Sequence, residues 1–181
     1  MIILRLVVLV IFLAVLFFML LSLAYAGISA APWVPLWKSD VRRMLKVARL
    51  KPGELLYDLG SGDGRMLIIA AREFKAKAVG YEISLLLYLI SYIKIFLVNL
   101  RIENKIKINY SSFYSADLSQ ADVICAFLTP MAMKKLKNKF ENELKPGCRI
   151  VSYAFSVPGW QAEIADKPNP KKSTVYLYTA K

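Results

Sequence analysis

The chain has 181 residues, and 57% of them are hydrophobic, above the roughly 45–50% typical of globular domains. This length allows one domain and a short additional segment. The chain has no histidine, which excludes imidazole-dependent triads and dyads and histidine-ligated metal sites. Its 25 basic and 13 acidic residues give a net charge of +12. Such a charge favours anionic partners, including lipid headgroups, nucleic acid and acidic protein surfaces.

The first element is an uncharged stretch from Leu6 to Trp37. Within it, Leu6–Ala26 supplies the roughly 20 apolar residues that a helix needs to cross a bilayer. A cleaved signal peptide is the alternative, with a possible cleavage site at Ala24-Tyr25-Ala26. The apolar run exceeds the roughly 7–15 residues of a secretory h-region. We therefore predict an uncleaved transmembrane anchor over residues 1–27, which makes the lipid bilayer a partner.

Positive charge is concentrated after this anchor. Arg5 alone precedes the apolar run, and Asp40 alone opposes the cations that follow: Lys38, Arg42, Arg43, Lys46, Arg49 and Lys51. The positive-inside rule places the rest of the chain in the cytoplasm. The same cations are expected to attract an anionic leaflet.

Residues 28–53 are predicted to form a connector and a basic helix. Two prolines and two tryptophans within residues 27–37 favour an irregular interfacial segment over a helix. Ser39 is expected to cap the following helix, whose apolar positions repeat at helical spacing: Val41, Met44, Leu45 and Ala48.

Strands and helices alternate over residues 54–181. Strands are predicted at 54–59, 76–81, 105–110, 122–128, 148–155 and 174–179, and helices at 65–74, 84–99 and 131–144. This alternation predicts an α/β fold with a Rossmann-like, doubly wound, mostly parallel sheet. Cys125 and Cys148 lie in apolar stretches, so we expect buried free thiols in a reducing compartment.

A glycine-rich turn follows the first strand and carries the chemistry. Gly60, Gly62 and Gly64 form G-x-G-x-G, which differs from the G-x-G-x-x-G of dinucleotide-binding folds. Glycines at these positions let the backbone turn sharply and approach a ligand closely.

Three carboxylates accompany this turn. Asp58 and Asp63 flank it, and they would repel a phosphate but attract an ammonium or a sulfonium. Glu82 ends the second strand, where a carboxylate can accept hydrogen bonds from both hydroxyls of a ribose. The combination predicts S-adenosyl-L-methionine as the cofactor.

The motif D-L-G-S-G-D-G-R, with Y-E ending the next strand, resembles motif I and the post-I region of class I S-adenosylmethionine-dependent methyltransferases. Four stretches narrow the resemblance: A-P-W-V-P, L-K-P-G-E-L-L-Y-D-L-G-S-G-D-G-R, E-L-K-P-G-C-R-I-V-S-Y-A-F-S-V-P-G-W and T-V-Y-L-Y. Together they resemble the small protein-lysine methyltransferases, which include archaeal broad-specificity enzymes and the mitochondrial enzyme for the c-ring protein of ATP synthase. The resemblance covers about residues 31–181 and implies an N-methyltransferase acting on lysine.

The resemblance also implies the site residues. Those implied for the cofactor are Asp58, Gly60, Ser61, Gly62, Asp63, Glu82, Ser112 and Phe113. In this scheme Asp58 and Asp63 lie at the methionine end, Glu82 at the ribose and Ser112-Phe113 at the adenine, although Ser112 departs from the family's usual Asn or Asp. Phe127 and Pro130 are implied where the acceptor nitrogen meets the methyl group, with Trp33, Phe155 and Trp160 as walls of the same cleft.

The acceptor predicted from the resemblance and the anchor is a lysine on a membrane-associated protein. Enzymes that methylate exocyclic base nitrogens typically carry Asn/Asp-Pro-Pro-aromatic after the fourth strand, whereas residues 128–131 read L-T-P-M. Nucleic acid is therefore not the expected partner, and no metal is expected. A lipid or quinone, a small molecule and RNA remain alternative acceptors. A non-enzymatic membrane scaffold that retained the fold is a further alternative.

The helix at 84–99 is unusually apolar, because only Ser91 and Lys94 interrupt residues 85–98. A helix that covers a sheet is expected to show a polar outer stripe, and Ser84, Ser91 and Lys94 supply only a thin one. We interpret the helix in two ways. It is either buried under the connector or in a dimer interface, or it lies in the headgroup region with Lys94 reaching lipid phosphates.

Overall fold

The computed structural model describes residues 1–29, 32–102 and 106–181. Its helices are α1 (Ile2–Ser29), α2 (Lys38–Val47), α3 (Arg65–Phe74), α4 (Leu85–Asn99) and α5 (Pro130–Glu143), with a short 3-10 helix at Phe113–Ser115. Its strands are β1 (Leu55–Leu59), β2 (Lys77–Glu82), β3 (Ile106–Tyr110), β4 (Val123–Ala126), β5 (Arg149–Tyr153), β6 (Ile164–Asp166) and β7 (Val175–Thr179). The strands form one sheet in the order β3-β2-β1-β4-β5-β7-β6.

The sheet is parallel from β3 to β5, and β7 pairs antiparallel with both β5 and β6. This confirms the predicted Rossmann-like, mostly parallel α/β fold. Successive residues of β1 face opposite sides, so Leu56 joins one buried cluster while Tyr57 and Leu59 join the other. The first cluster packs beneath α2, α3 and α4, and the second packs beneath α5.

Three local predictions were wrong. Helix α1 extends to Ser29, so the connector begins later than residue 27. Ser39 does not cap α2, because the carbonyl of Trp37 accepts hydrogen bonds from the amides of Asp40 and Val41, and Trp37 takes the cap position. The sequence analysis also missed β6, a three-residue edge strand too short to show an alternating pattern. Lys105, at the start of the predicted third strand, lies outside the described residues.

Two of the cations expected to face the membrane bind within the domain instead. Arg42 forms a two-point ion pair with Glu73 of α3, with N–O distances of 2.7 and 2.8 Å. Arg43 pairs with Asp166 of β6 at 3.3 Å and donates to the carbonyl of Ser173 at 2.7 Å. These contacts fix α2 against the sheet and its first helix, so α2 is part of the folded body.

Candidate functional site

The glycine-rich turn lies at the carboxyl end of β1, the central strand between β2 and β4. In open α/β sheets ligands bind at such a point, where the strand order reverses. Gly62 has φ +55°, and a Cβ there would lie 2.9 Å from Nε1 of Trp33. Gly64 has φ +77°, and a Cβ there would collide with the hydroxyl of Ser91. The turn therefore needs glycine both for its backbone conformation and for close packing by α4 and the connector.

Glu82 joins this turn to the start of α4. Its Oε2 accepts from the Gly62 amide at 2.7 Å, and its Oε1 accepts from the Ser84 amide at 2.8 Å. Burial raises the pKa of the Glu82 carboxyl, although these backbone hydrogen bonds oppose the shift. The carboxylate thus organises the turn, and each oxygen still has a lone pair for a ligand hydroxyl.

Asp58 is a buried carboxyl group at the end of β1, and it borders the cleft. Burial, with the negative charges of Glu82 and Asp63, raises its pKa to about 8. Without a ligand, this carboxyl is therefore mostly protonated at pH 7. A cationic ligand beside it would favour the ionised form, because an opposite charge lowers the pKa of a carboxyl group.

Asp63 has the opposite electrostatic character, because two cations bind it. Its Oδ1 accepts from Nε of Arg65 at 2.8 Å, and its Oδ2 accepts from Nζ of Lys94 at 2.8 Å. Burial alone would raise the pKa of Asp63, but the hydrogen bonds from Arg65 and Lys94 outweigh it and lower the pKa to about 2. Lys94 is therefore engaged at the site, and the prediction that it reaches lipid phosphates was wrong.

A cleft opens beside these carboxylates, between the glycine-rich turn, residues 32–36 and the last turns of α1. The expected site residues that border it are Trp33, Asp58, Gly60, Ser61, Gly62, Asp63, Glu82, Phe113 and Phe127. Phe127 also packs edge-on against Tyr153, with ring centroids 5.0 Å apart. The structure therefore brings most of the expected residues to one place.

Four expected residues lie elsewhere. Trp160 does not wall the cleft, because it packs on Tyr178 with ring centroids 5.8 Å apart and donates from Nε1 to Glu141 on the α5 side. Ser112 caps the short 3-10 helix, and its hydroxyl accepts from the Tyr114 amide at 3.2 Å. Pro130 begins α5 with an exposed ring, and Phe155 is 38% exposed outside the cleft.

Sequence reasoning missed the contribution of α1 to the site. Leu23 and Ala26 of this helix border the cleft, together with Leu36 and Tyr81. The carbonyl of Leu36 also accepts a short hydrogen bond from Nη1 of Arg65, which fixes the connector to the turn. Leu23 and Ala26 carry no distinguishing signal, since the apolar residues of α1 look alike in sequence.

Residues 58–164 match a family model described as the ANTKMT methyltransferase domain. The match covers more than half of the chain and includes the whole glycine-rich turn and Glu82. The chain belongs to the ANTKMT methyltransferase family. This membership confirms the resemblance to methyltransferases that the sequence motifs carried.

Individual relatives of this methyltransferase agree. A protein-lysine N-methyltransferase of Saccharolobus islandicus is 39% identical over 153 residues, covering 81% of this chain and 92% of the relative. The human lysine N-methyltransferase of the ATP synthase c-ring protein is 31% identical over 129 residues, covering 71% of this chain and 54% of the relative. The chain thus spans about half the length of that human protein.

A solved structure supports the cofactor. It is described as an RNA methyltransferase from Salinibacter ruber in complex with S-adenosyl-L-homocysteine. It has 33% identity and a TM-score of 0.75, and covers 81% of this chain and 93% of that structure. S-adenosylhomocysteine is the product left when S-adenosylmethionine gives up its methyl group. The cofactor of this family member is therefore S-adenosyl-L-methionine, as predicted.

Proposed function

We propose that this methyltransferase transfers a methyl group from S-adenosylmethionine to lysine side chains of proteins at a membrane. The names of the archaeal and vertebrate relatives support lysine as the acceptor. The observation that carries the membrane part is the wall of the cleft, since Leu23 and Ala26 belong to the apolar helix α1. A site built partly from that helix lies close to where the helix ends.

Helix α1 supports the role of an uncleaved anchor. Residues Ile2–Ile28 have a mean hydropathy of 3.3 and are long and apolar enough to cross a membrane. Ser22, Leu23 and Ala26 are partly covered by the domain, whereas residues 2–18 are exposed. Cleavage after Ala26 would remove part of the cleft wall, which favours retention of the helix. The excess of cations after α1 places the catalytic domain in the cytoplasm.

The residues in the cleft fit S-adenosylmethionine. We assign Asp58 to the positively charged methionine end, because a buried carboxyl group with a raised pKa is best stabilised by a cation. Glu82 is assigned to the ribose hydroxyls, and Phe113 to the adenine. Asp63 holds the turn through Arg65 and Lys94. The cofactor supplies a methyl group activated by a sulfonium, and the chain supplies its position.

Phe127 and Trp33 form the aromatic part of the cleft, and we assign them to the acceptor lysine. An apolar surrounding lowers the pKa of a lysine ammonium, which helps the amine to lose its proton before transfer. Holding that amine in line with the methyl group supplies much of the rate enhancement. Lysine methylation on this scheme needs no histidine.

The Phe127→Ala variant tests the acceptor assignment. We expect methyl transfer to a membrane-protein acceptor to fall roughly tenfold or more, because a misplaced amine loses its alignment. Cofactor affinity should change less than about threefold, since we assign Phe127 to the acceptor end of the cleft. Labelled methyl incorporation and calorimetric titration of the cofactor give the two values. Phe155→Ala, which removes an aromatic ring outside the cleft, is the matched control and should leave both unchanged. Equal losses in the two variants would contradict the assignment.

RNA is the second candidate acceptor, because the structure from Salinibacter ruber is described as an RNA methyltransferase. The net charge of +12 is compatible with it. The sequence L-T-P-M at residues 128–131 offers no base-methylation motif, so lysine remains the acceptor that we propose.

A further inference from the structure

Helix α4 turns its polar residues inward and its apolar residues outward. Ser91 is fully buried, and Lys94 binds Asp63 at the site. A continuous outward stripe, here called the α4 apolar face, consists of Leu89, Ile93, Phe96, Leu97 and Leu100. Ile93 and Leu97 are 60% and 57% exposed, and Leu100 is 70% exposed. These positions lie within about 100° on a helix of 3.6 residues per turn, so they form one surface.

Cations border the α4 apolar face. Arg72 of α3 and Arg101, just after α4, line a shallow groove together with Leu97 and Leu100. Both arginines are exposed. An apolar stripe beside exposed cations matches the interface of an anionic membrane, where acyl chains lie next to phosphates.

The position of α1 places this surface at a membrane boundary. The amide of Leu85, the first residue of α4, donates to the hydroxyl of Ser22 at 3.2 Å. Residues 2–21 of α1 would span about 30 Å, the thickness of a hydrocarbon core. Ser22 then lies where α1 leaves the bilayer, and α4 begins at the same level.

We propose that the α4 apolar face lies in the headgroup region of the bilayer that α1 enters, as a second membrane contact of the domain. The inference rests on the proposed anchoring by α1. Helix α4 has 15 residues, about 22 Å in length, which is too short to cross the bilayer. An orientation along the surface agrees with its apolar stripe and bordering arginines. Two contacts would hold the cleft at a fixed angle to the membrane.

A fluorescence experiment on the full chain tests this contact. The protein is reconstituted into vesicles that contain phosphatidylglycerol and a nitroxide-labelled lipid. The environment-sensitive probe NBD is attached at Leu97→Cys or, as the matched control, at Asn138→Cys on α5. Asn138 is exposed, and α5 covers the opposite face of the sheet. Cys125 and Cys148 are buried, so labelling is expected at the introduced thiol.

We expect the nitroxide lipid to quench the probe at Leu97→Cys at least twice as strongly as the probe at Asn138→Cys. Equal quenching would overturn the inference. A probe at Leu97→Cys that is shielded from water but not quenched by lipid would indicate a second copy of the chain on this face, and would also overturn it. Failure of the protein to float with the vesicles would instead contradict the anchoring by α1.

A variant with two added negative charges gives an independent measurement. Ile93→Glu with Leu100→Glu changes two exposed side chains and should weaken lipid quenching of the probe at Leu97→Cys at least twofold. Lys134→Glu with Asn138→Glu on α5 is the control and should leave this quenching unchanged. Unchanged cofactor affinity in both variants verifies that the domain stays folded. Full quenching in the α4 variant would contradict the proposed contact.

Discussion

Asp58→Asn is expected to weaken S-adenosylmethionine binding roughly tenfold to a hundredfold and, at the same time, to stabilise the cofactor-free protein at pH 8. A lost hydrogen bond to a charged group costs about 1.5–3 kcal/mol, which corresponds to this loss of affinity. The gain in stability has a separate cause. The pKa of Asp58 is about 8 in the folded protein against an ordinary 3.8, so folding disfavours the ionised form.

The sign of the pH dependence follows from linkage. Because the folded pKa is the higher one, Asp58 favours the folded state at low pH and loses this contribution as pH rises from about 4 to 8. The asparagine of the variant does not titrate, so the difference in Tm between the two proteins should increase over that range. At pH 7 the wild-type protein should release protons when it binds the cofactor, and the variant should release fewer.

Calorimetry in buffers of different ionisation enthalpy and thermal unfolding without cofactor measure both effects. Asp117→Asn is the matched control, because Asp117 is an exposed carboxylate after the 3-10 helix. It should leave cofactor affinity unchanged. Equal affinity of the wild-type protein and the Asp58→Asn variant would contradict the role of Asp58 at the cationic end of the cofactor.

Glu82→Ala should weaken cofactor binding at least tenfold and should lower the Tm, which is the opposite stability effect. The variant leaves the amides of Gly62 and Ser84 without the carboxylate that accepts from them. An unsatisfied buried amide costs about 1–3 kcal/mol. Glu82→Gln keeps one acceptor oxygen and should fall between the wild type and the alanine variant in both measurements. An unchanged Tm in Glu82→Ala would show that the carboxylate does not organise the turn.

Much of the fold and the centre of the site could be predicted from local sequence patterns. The predicted limits of the helix at 65–74 match α3, because a glycine-rich turn and a non-helical lysine bound its apolar repeat. The carboxyl ends of parallel strands meet at one edge of a sheet, so Asp58 and Glu82 could be placed together from sequence.

What could not be predicted depends on contacts between distant segments. The pairing of Lys94 with Asp63 joins residues 31 positions apart, and it reverses the expected direction of α4. Periodicity identifies which residues share a face of a helix, but not which face meets the domain. The placement of Trp160 against Tyr178 and of Leu23 at the cleft likewise follows from tertiary packing.

The most direct test of the proposed function is the chemical identity of the methylated product. The full chain is incubated with methyl-labelled S-adenosylmethionine and membranes of its own source, and protein, RNA and lipid fractions are counted separately. The Asp58→Asn variant provides the background. We expect the label in the protein fraction, recovered as methyl-lysine after complete hydrolysis. Label that enters RNA or lipid, and is absent from lysine, would contradict the proposed acceptor.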